Sequence, residues 1–218
     1  MTIHVSAFKW VPPFAQGYVR DLRVRWALEE AGLPYEATLI DPAVQATTAY
    51  REWQPFGQVP AYRDDAVEIF ESGAIVLHLA MRSEALAPAD EAGRARVMTW
   101  VIAALNSVEP FVQNLVQLDV FHAGEAWTKE RRPQAEAMLS KRLASLSTWL
   151  GERDYLEDRF TAGDLMMAMV LRELVETGLL ERYANLGAYV RRCTERPAFR
   201  KALEAQLQPF RENAPATA

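Results

Sequence analysis

Two kinds of hydrophobic spacing divide the chain. Ile3-His4-Val5-Ser6-Ala7-Phe8 alternates residue by residue, the period of a strand. Arg20 to Gly32 instead sets Leu22, Trp26, Ala27 and Leu28 among charges at helical spacing, and Gly32 supplies a stop. Residues 34–40 read as a second strand and 43–52 as a weaker helix. Val59-Pro60-Ala61-Tyr62 and Val67-Glu68-Ile69 are short strands on either side of a polar Asp64-Asp65 turn, and 71–82 is a short apolar helix. The order β-α-β-α-β-β-α contains a hairpin, so the sheet is predicted to be mixed rather than wholly parallel.

Beyond Arg82 the texture changes. Residues 83–90 (SEALAPAD) are small, polar and proline-containing, the composition of a linker. From Glu91 onward only helical patterns occur, over 91–121, 125–151, 164–179, 184–196 and 197–207. The expectation is an α/β domain over 1–82, a linker over 83–90 and an all-helical domain over 91–218. A chain of 218 residues accommodates two modest domains.

Composition narrows the classes of function. Apolar and aromatic residues make up 50% and charged residues 24%, the profile of a soluble globular protein. With a net charge of −5 and no basic cluster, nucleic acid is not an expected partner. The start, Met1-Thr2-Ile3-His4-Val5, has no basic lead into an apolar stretch, so no signal peptide is expected. No apolar run reaches the roughly 18 residues of a membrane helix. Cys193 is the single cysteine, which rules out an internal disulfide and suits a reducing cytoplasm. His4, His78 and His122 are scattered without ligand spacing, so no metal is expected.

The segment Gln54-Pro55-Phe56-Gly57-Gln58-Val59-Pro60, followed by Phe70-Glu71-Ser72-Gly73-Ala74-Ile75, resembles the glutathione-binding half of cytosolic glutathione S-transferases, of the bacterial type and with no class assigned. In that family a Pro-x-Gly-x-Val-Pro loop leads through a hairpin into Glu-Ser at a helix start. The resemblance implies a thioredoxin-like first domain, glutathione as co-substrate, and a homodimer acting in detoxification.

It also implies that Pro60 follows a cis bond, an isomer costing only about 0.5–1 kcal/mol at X-Pro. Such a bond would turn the Val59 amide and carbonyl off the sheet, to pair with the tripeptide as a miniature strand addition. Gln58 would offer its amide to the glycine end. Ser72, in the first turn of a helix, would bind the γ-glutamyl carboxylate, and Glu71 the γ-glutamyl amine. Taken singly, Ser72 also reads as a helix cap and Pro60 as a turn.

The thiol of glutathione needs activating. A pKa near 8.5 leaves a few per cent of thiolate at neutral pH, and lowering it by two units requires about 2.7 kcal/mol. One hydrogen bond to a charged group supplies about 1.5–3 kcal/mol. Counting back from Arg23-Val24-Arg25, which resembles the family's first helix, the usual Ser/Cys slot falls on Tyr18, and Arg20 falls where tyrosine-type relatives carry an assisting arginine. Ser6, Lys9 and Trp10 also stand near the end of the first strand, within possible reach of the sulfur. The junction from Trp10 to Gly17 is longer than usual and has no Ser, Cys or Tyr, so neither family pattern is fully met. Tyr18 as a packing residue and Arg20 as half of a surface ion pair therefore stay open.

Chemistry through an enzyme thiol is disfavoured, because Cys193 lies far along the helical half and reads as a small buried hydrophobe. Thr161-Ala162-Gly163-Asp164 resembles the family's helix-capping box, which assigns Asp164 to folding rather than to acid catalysis. Met166, Met167 and Met169 read as packing. Trp100, Asn106 and Phe111, on a helix that faces the cleft in the family, are with Trp10 and Phe14 the candidates for an electrophile pocket. The expected reaction is attack of the glutathione thiolate on a small electrophile. A cysteine-independent glutathione peroxidase or disulfide reductase would use the same binding residues, and so would a non-catalytic glutathione or ligand carrier on this fold.

Overall fold

A computed structural model describes residues 2–215. Its contacts group into two compact units, Met1–Ala87 together with Arg196–Ala218, and Pro88–Glu195. This differs from the division expected above, which placed all of 91–218 in the helical domain.

In the first unit, β1 (Ile3–Phe8) pairs in parallel with β2 (Tyr35–Ile40), Ile3 opposite Tyr35 and Phe8 opposite Ile40. On its other side β1 runs antiparallel to β3 (Ala61–Arg63), which turns into β4 (Glu68–Phe70), giving the mixed order β2-β1-β3-β4. β1 is thus a central strand. Ile3, Val5 and Ala7 are buried on one face as the alternation requires, but Ser6, on the opposite face, is fully buried as well.

Helix α1 (Asp21–Ala31) buries every residue from Asp21 to Leu28. It packs against α4 (Ser72–Ala80) and against the last helix of the chain. The buried charges are paired: Arg25 Nε sits 2.7 Å from Asp21 Oδ2, one turn away. Burial pushes the Asp21 carboxyl up, against the pull of Arg25 beside it. The expected helix over 43–52 is two short ones, α2 (Pro42–Gln45) and α3 (Thr48–Trp53). The break follows from Thr47, whose hydroxyl accepts from the Tyr50 amide and caps a new start.

The second unit begins with α5 (Glu91–Ala103), which runs through a π turn at Ala104–Val108 into α6 (Glu109–Val116) and a second π turn at Gln117–Phe121. It continues with α7 (Ala126–Leu150), α8 (Ala162–Leu171) and α9 (Ala184–Thr194). All ten residues of α8 are buried, so α8 is the axis of this unit. Its capping box has the expected form, with Asp164 Oδ2 accepting the Thr161 amide at 2.9 Å and Thr161 Oγ1 accepting the Gly163 amide at 3.2 Å.

Helix α10 (Pro197–Glu212) returns to the first unit. Its buried face, Phe199, Ala202, Gln206 and Phe210, lies on α1, where Phe199 meets Trp26 edge-on at 4.9 Å. Arg196 grips Glu30 through two bonds of 2.6 and 2.7 Å, and Gln206 Nε2 reaches the Val19 carbonyl at 3.0 Å. A period of 3.6 residues predicts such a helix but not the core it will join.

Candidate functional site

The loop between α3 and β3 is built from side chains that take hold of its backbone. Gln54, itself buried, accepts the amides of Phe56 at 2.8 Å and Gln58 at 3.1 Å on its single Oε1. The Gln45 amide donates to the Gly57 carbonyl. Gly57 has φ of 65°, and a Cβ there would lie 3.2 Å from the Arg51 guanidinium, so the turn needs glycine twice over. Tyr50 Oη donates to the Gln58 carbonyl at 2.5 Å. Beyond the loop, the Ala61 amide donates to Ser6 Oγ at 2.7 Å.

Between these fixed points lies the Val59–Pro60 bond, which is cis as expected. Among the described residues, neither the amide nor the carbonyl of Val59 is engaged in a hydrogen bond. A residue with both main-chain groups unspent can pair with an extended peptide. The Gln58 side chain is exposed and so available to a ligand.

The second part of the site is the start of α4. Glu71, at its N-cap, has φ of 70°, the sole non-glycine residue with positive φ among those described. Such a conformation costs on the order of 1–3 kcal/mol, and its persistence points to function. Glu71 is exposed, whereas Ser72 is 4% exposed and accepts from Arg23 Nη1 at 3.3 Å. Because the guanidinium can only donate, the Ser72 hydroxyl keeps its own proton for another acceptor. The helix N-terminus adds free amides and a favourable dipole for a negative group.

The third part is the junction before α1. Residues Pro13–Ala15 make one turn of 3-10 helix, stapled by Gln16 Nε2 to the Val11 carbonyl at 3.0 Å. Tyr18 follows with its amide on the Ala15 carbonyl at 3.0 Å and its ring 39% exposed. Arg20 is the N-cap of α1 and is exposed. Both candidates for thiol activation therefore stand at a helix entrance on the surface of the first unit. Lys9 is exposed and Trp10 half-buried. Ser6 is different: its hydroxyl points inward, 2.9 Å from Tyr50 Oη, and is not placed to serve a sulfur outside.

The residues expected around an electrophile divide between the units. Phe14 is exposed on the 3-10 turn of the first. In the second, Trp100 donates from Nε1 to Glu157 at 2.9 Å, and its ring lies 5.3 Å from that of Trp149. These two indoles line a cavity of about 190 Å³ with Leu146 and Met167. Asn106 is exposed in the first π turn, and Phe111 lies under the Arg142 guanidinium at 4.8 Å; neither joins that lining. Cys193 is fully buried on α9.

Sequence reasoning missed the residues that hold the loop: Gln45, Tyr50, Gln54 and the true role of Ser6. It also missed Arg23 behind Ser72. A serine in the middle of a core strand was the available signal for the first group, since a buried hydroxyl needs partners.

Residues 22–82 match the family model described as the glutathione S-transferase N-terminal domain. A glutathione S-transferase of Silene vulgaris is 30% identical, over 85% of this chain and 93% of its own. Glutathione S-transferase 3 of Schizosaccharomyces pombe is 27% identical, over 85% and 83%. Among solved structures, a glutathione transferase of Burkholderia graminis with two glutathione molecules bound per subunit aligns with a TM-score of 0.81. It is 25% identical and covers 95% of this chain and 89% of that one.

Proposed function

This chain belongs to the glutathione S-transferase family, and on that premise we propose that it conjugates the thiolate of glutathione to small electrophilic molecules. The observation that carries the reading is the unspent main chain of Val59, held between pinned neighbours in the same unit as the strained Glu71 and the buried Ser72.

Each group suits one part of γ-Glu-Cys-Gly. The Val59 amide and carbonyl pair with the cysteinyl main chain, and the Gln58 amide meets the glycine end. The Ser72 hydroxyl and the α4 amides take the γ-glutamyl carboxylate. Glu71 takes the γ-glutamyl amine. Held at both ends, the cysteine presents its sulfur in one orientation, and most of the entropic cost of the encounter is met by binding. Tyr18 then donates its phenolic proton in a hydrogen bond to the sulfur. The Arg20 cation favours thiolate over thiol, so the nucleophile is populated near neutrality without full proton transfer to the protein. A bond forms from sulfur to the electrophilic carbon, as the thiol proton leaves to solvent and either a leaving group departs or a double bond is saturated. The same reading carries a homodimer in the cytoplasm, with a solution mass twice the 24.6 kDa of the chain.

A panel of a chloronitrobenzene, a hydroperoxide and a mixed disulfide tests the reaction class. Conjugation is expected to dominate. Tyr18→Phe and Arg20→Ala are each expected to lower turnover about 10-fold or more, the size of one charge-assisted hydrogen bond. Glutathione binding without any change of turnover in either variant would remove both residues from the mechanism.

A further inference from the structure

Two residues that the proposed reaction does not use form a continuous hydrogen-bonded relay behind the glutathione loop. Tyr50 Oη has one proton, and the Gln58 carbonyl, 2.5 Å away, can only accept it. Ser6 Oγ, 2.9 Å from the phenol, must then donate to Tyr50, and it accepts in turn from the Ala61 amide at 2.7 Å. Every bond therefore runs one way: Ala61 amide to Ser6, Ser6 to Tyr50, Tyr50 to the Gln58 carbonyl. The relay leaves the chain just after Pro60 and rejoins it just before Val59.

Its members are shielded. Ser6 is 0% exposed and Tyr50 5%. Burial holds the Tyr50 phenol above its usual pKa, against the Ser6 bond, so the phenol remains a neutral donor. The two elements that supply the relay, β1 and α3, are far apart in sequence, and a Phe and an Ala at these positions would satisfy the same hydrophobic pattern. The hydroxyls are therefore not needed for core volume; what they add is a fixed distance between the flanks of Val59.

We propose that Ser6 and Tyr50 are positioning residues for the tripeptide, clamping Gln58 and Ala61 so that the Val59 main chain is presented in one orientation. This rests on the reading of Val59 as the glutathione anchor. With one hydroxyl removed, the flanks move independently and the ligand must order them on binding, so the cost falls on affinity and not on the chemical step.

The test is calorimetry of Tyr50→Phe and Ser6→Ala with glutathione and with S-methylglutathione, which needs no thiol activation. Trp26→Phe serves as the stability control. It shrinks a fully buried side chain of α1, in the same unit, and deletes the bond from Trp26 Nε1 to Glu30 Oε1, 2.9 Å long. Each relay variant is expected to raise Kd for both ligands about three- to tenfold, the range of one neutral hydrogen bond. The double variant is expected to be no weaker than the poorer single one, because the relay fails as a unit. The control is expected to lose thermal stability but keep Kd, and turnover at saturating glutathione is expected to stay within twofold in every variant. Unchanged Kd in Tyr50→Phe, or a Kd that tracks melting temperature across all variants including the control, overturns the proposal. Absence of binding by the unaltered protein would sink the glutathione reading and this inference together, whereas binding that the relay variants leave intact sinks the inference alone.

Discussion

Asp164 shows how a single residue makes folding depend on pH. Its carboxylate accepts from the Leu156 amide at 2.8 Å, the Thr161 amide at 2.9 Å and the Tyr189 hydroxyl at 3.0 Å. Burial outweighs these bonds and pushes its pKa up from the ordinary 3.8 to about 6. Between those values the folded chain holds a proton that the unfolded chain has released. Stability from this group is thus full below about pH 4, falls as pH rises to about 6, and is flat above. Asp164→Asn is expected to remove that slope, worth about 3 kcal/mol at 1.36 kcal/mol per unit. Urea midpoints of the two proteins measured from pH 4 to 8 will show it as a difference that changes only below pH 6. The capping role itself was legible from Thr161-Ala162-Gly163-Asp164. The inward turn of Ser6 was not, because alternation assigns residues to two faces of a strand without saying that both are covered.

At the scale of elements, α5 lies tight against α8 in the second unit. An added Cβ on Gly163 would stand 2.6 Å from the Cβ of Trp100, an atom fixed to the α5 backbone. Glycine here lets two helices touch, and Gly163→Ala is expected to destabilise by about 1–3 kcal/mol through overpacking. Thermal unfolding checks this; a melting temperature equal to that of the parent would show that α5 yields without cost. The sequence pattern disclosed the order of strands and helices and the mixed sheet, since both follow from periodicity and from a hairpin too short for a crossover. It read 91–121 as one helix because each π turn keeps the chain helical and changes only the phase of the buried face. The Pro-Phe-Gly-Gln-Val-Pro loop was legible as a motif together with Gln54 before it, but the other side chains that hold it, Gln45, Tyr50 and Ser6, come from α2, α3 and β1, and spacing does not reveal their contacts with it.

On the scale of the whole molecule, the first unit is closed by the last helix. Deletion of residues 196–218 is expected to uncover Trp26, break the pair of contacts from Arg196 to Glu30, and release Val19 and Asp21 from Gln206. The shortened chain is expected to lose glutathione binding and to be cut first within residues 1–87 under limited proteolysis. Survival of that region with binding intact would show α10 to be dispensable. Family membership could be read from the motif, yet this closure could not, because an amphipathic stripe of Phe199, Ala202, Gln206 and Phe210 fits any apolar surface of the right width.

The sealing of Cys193 inside α9 has a consequence for how the protein meets oxidised thiols. With its one thiol shut away, the folded protein offers glutathione disulfide nothing to exchange with, so no mixed disulfide accumulates on it as the oxidised fraction of the pool rises. Under the proposed conjugation, turnover then follows the supply of reduced tripeptide through mass action rather than through covalent modification of the protein.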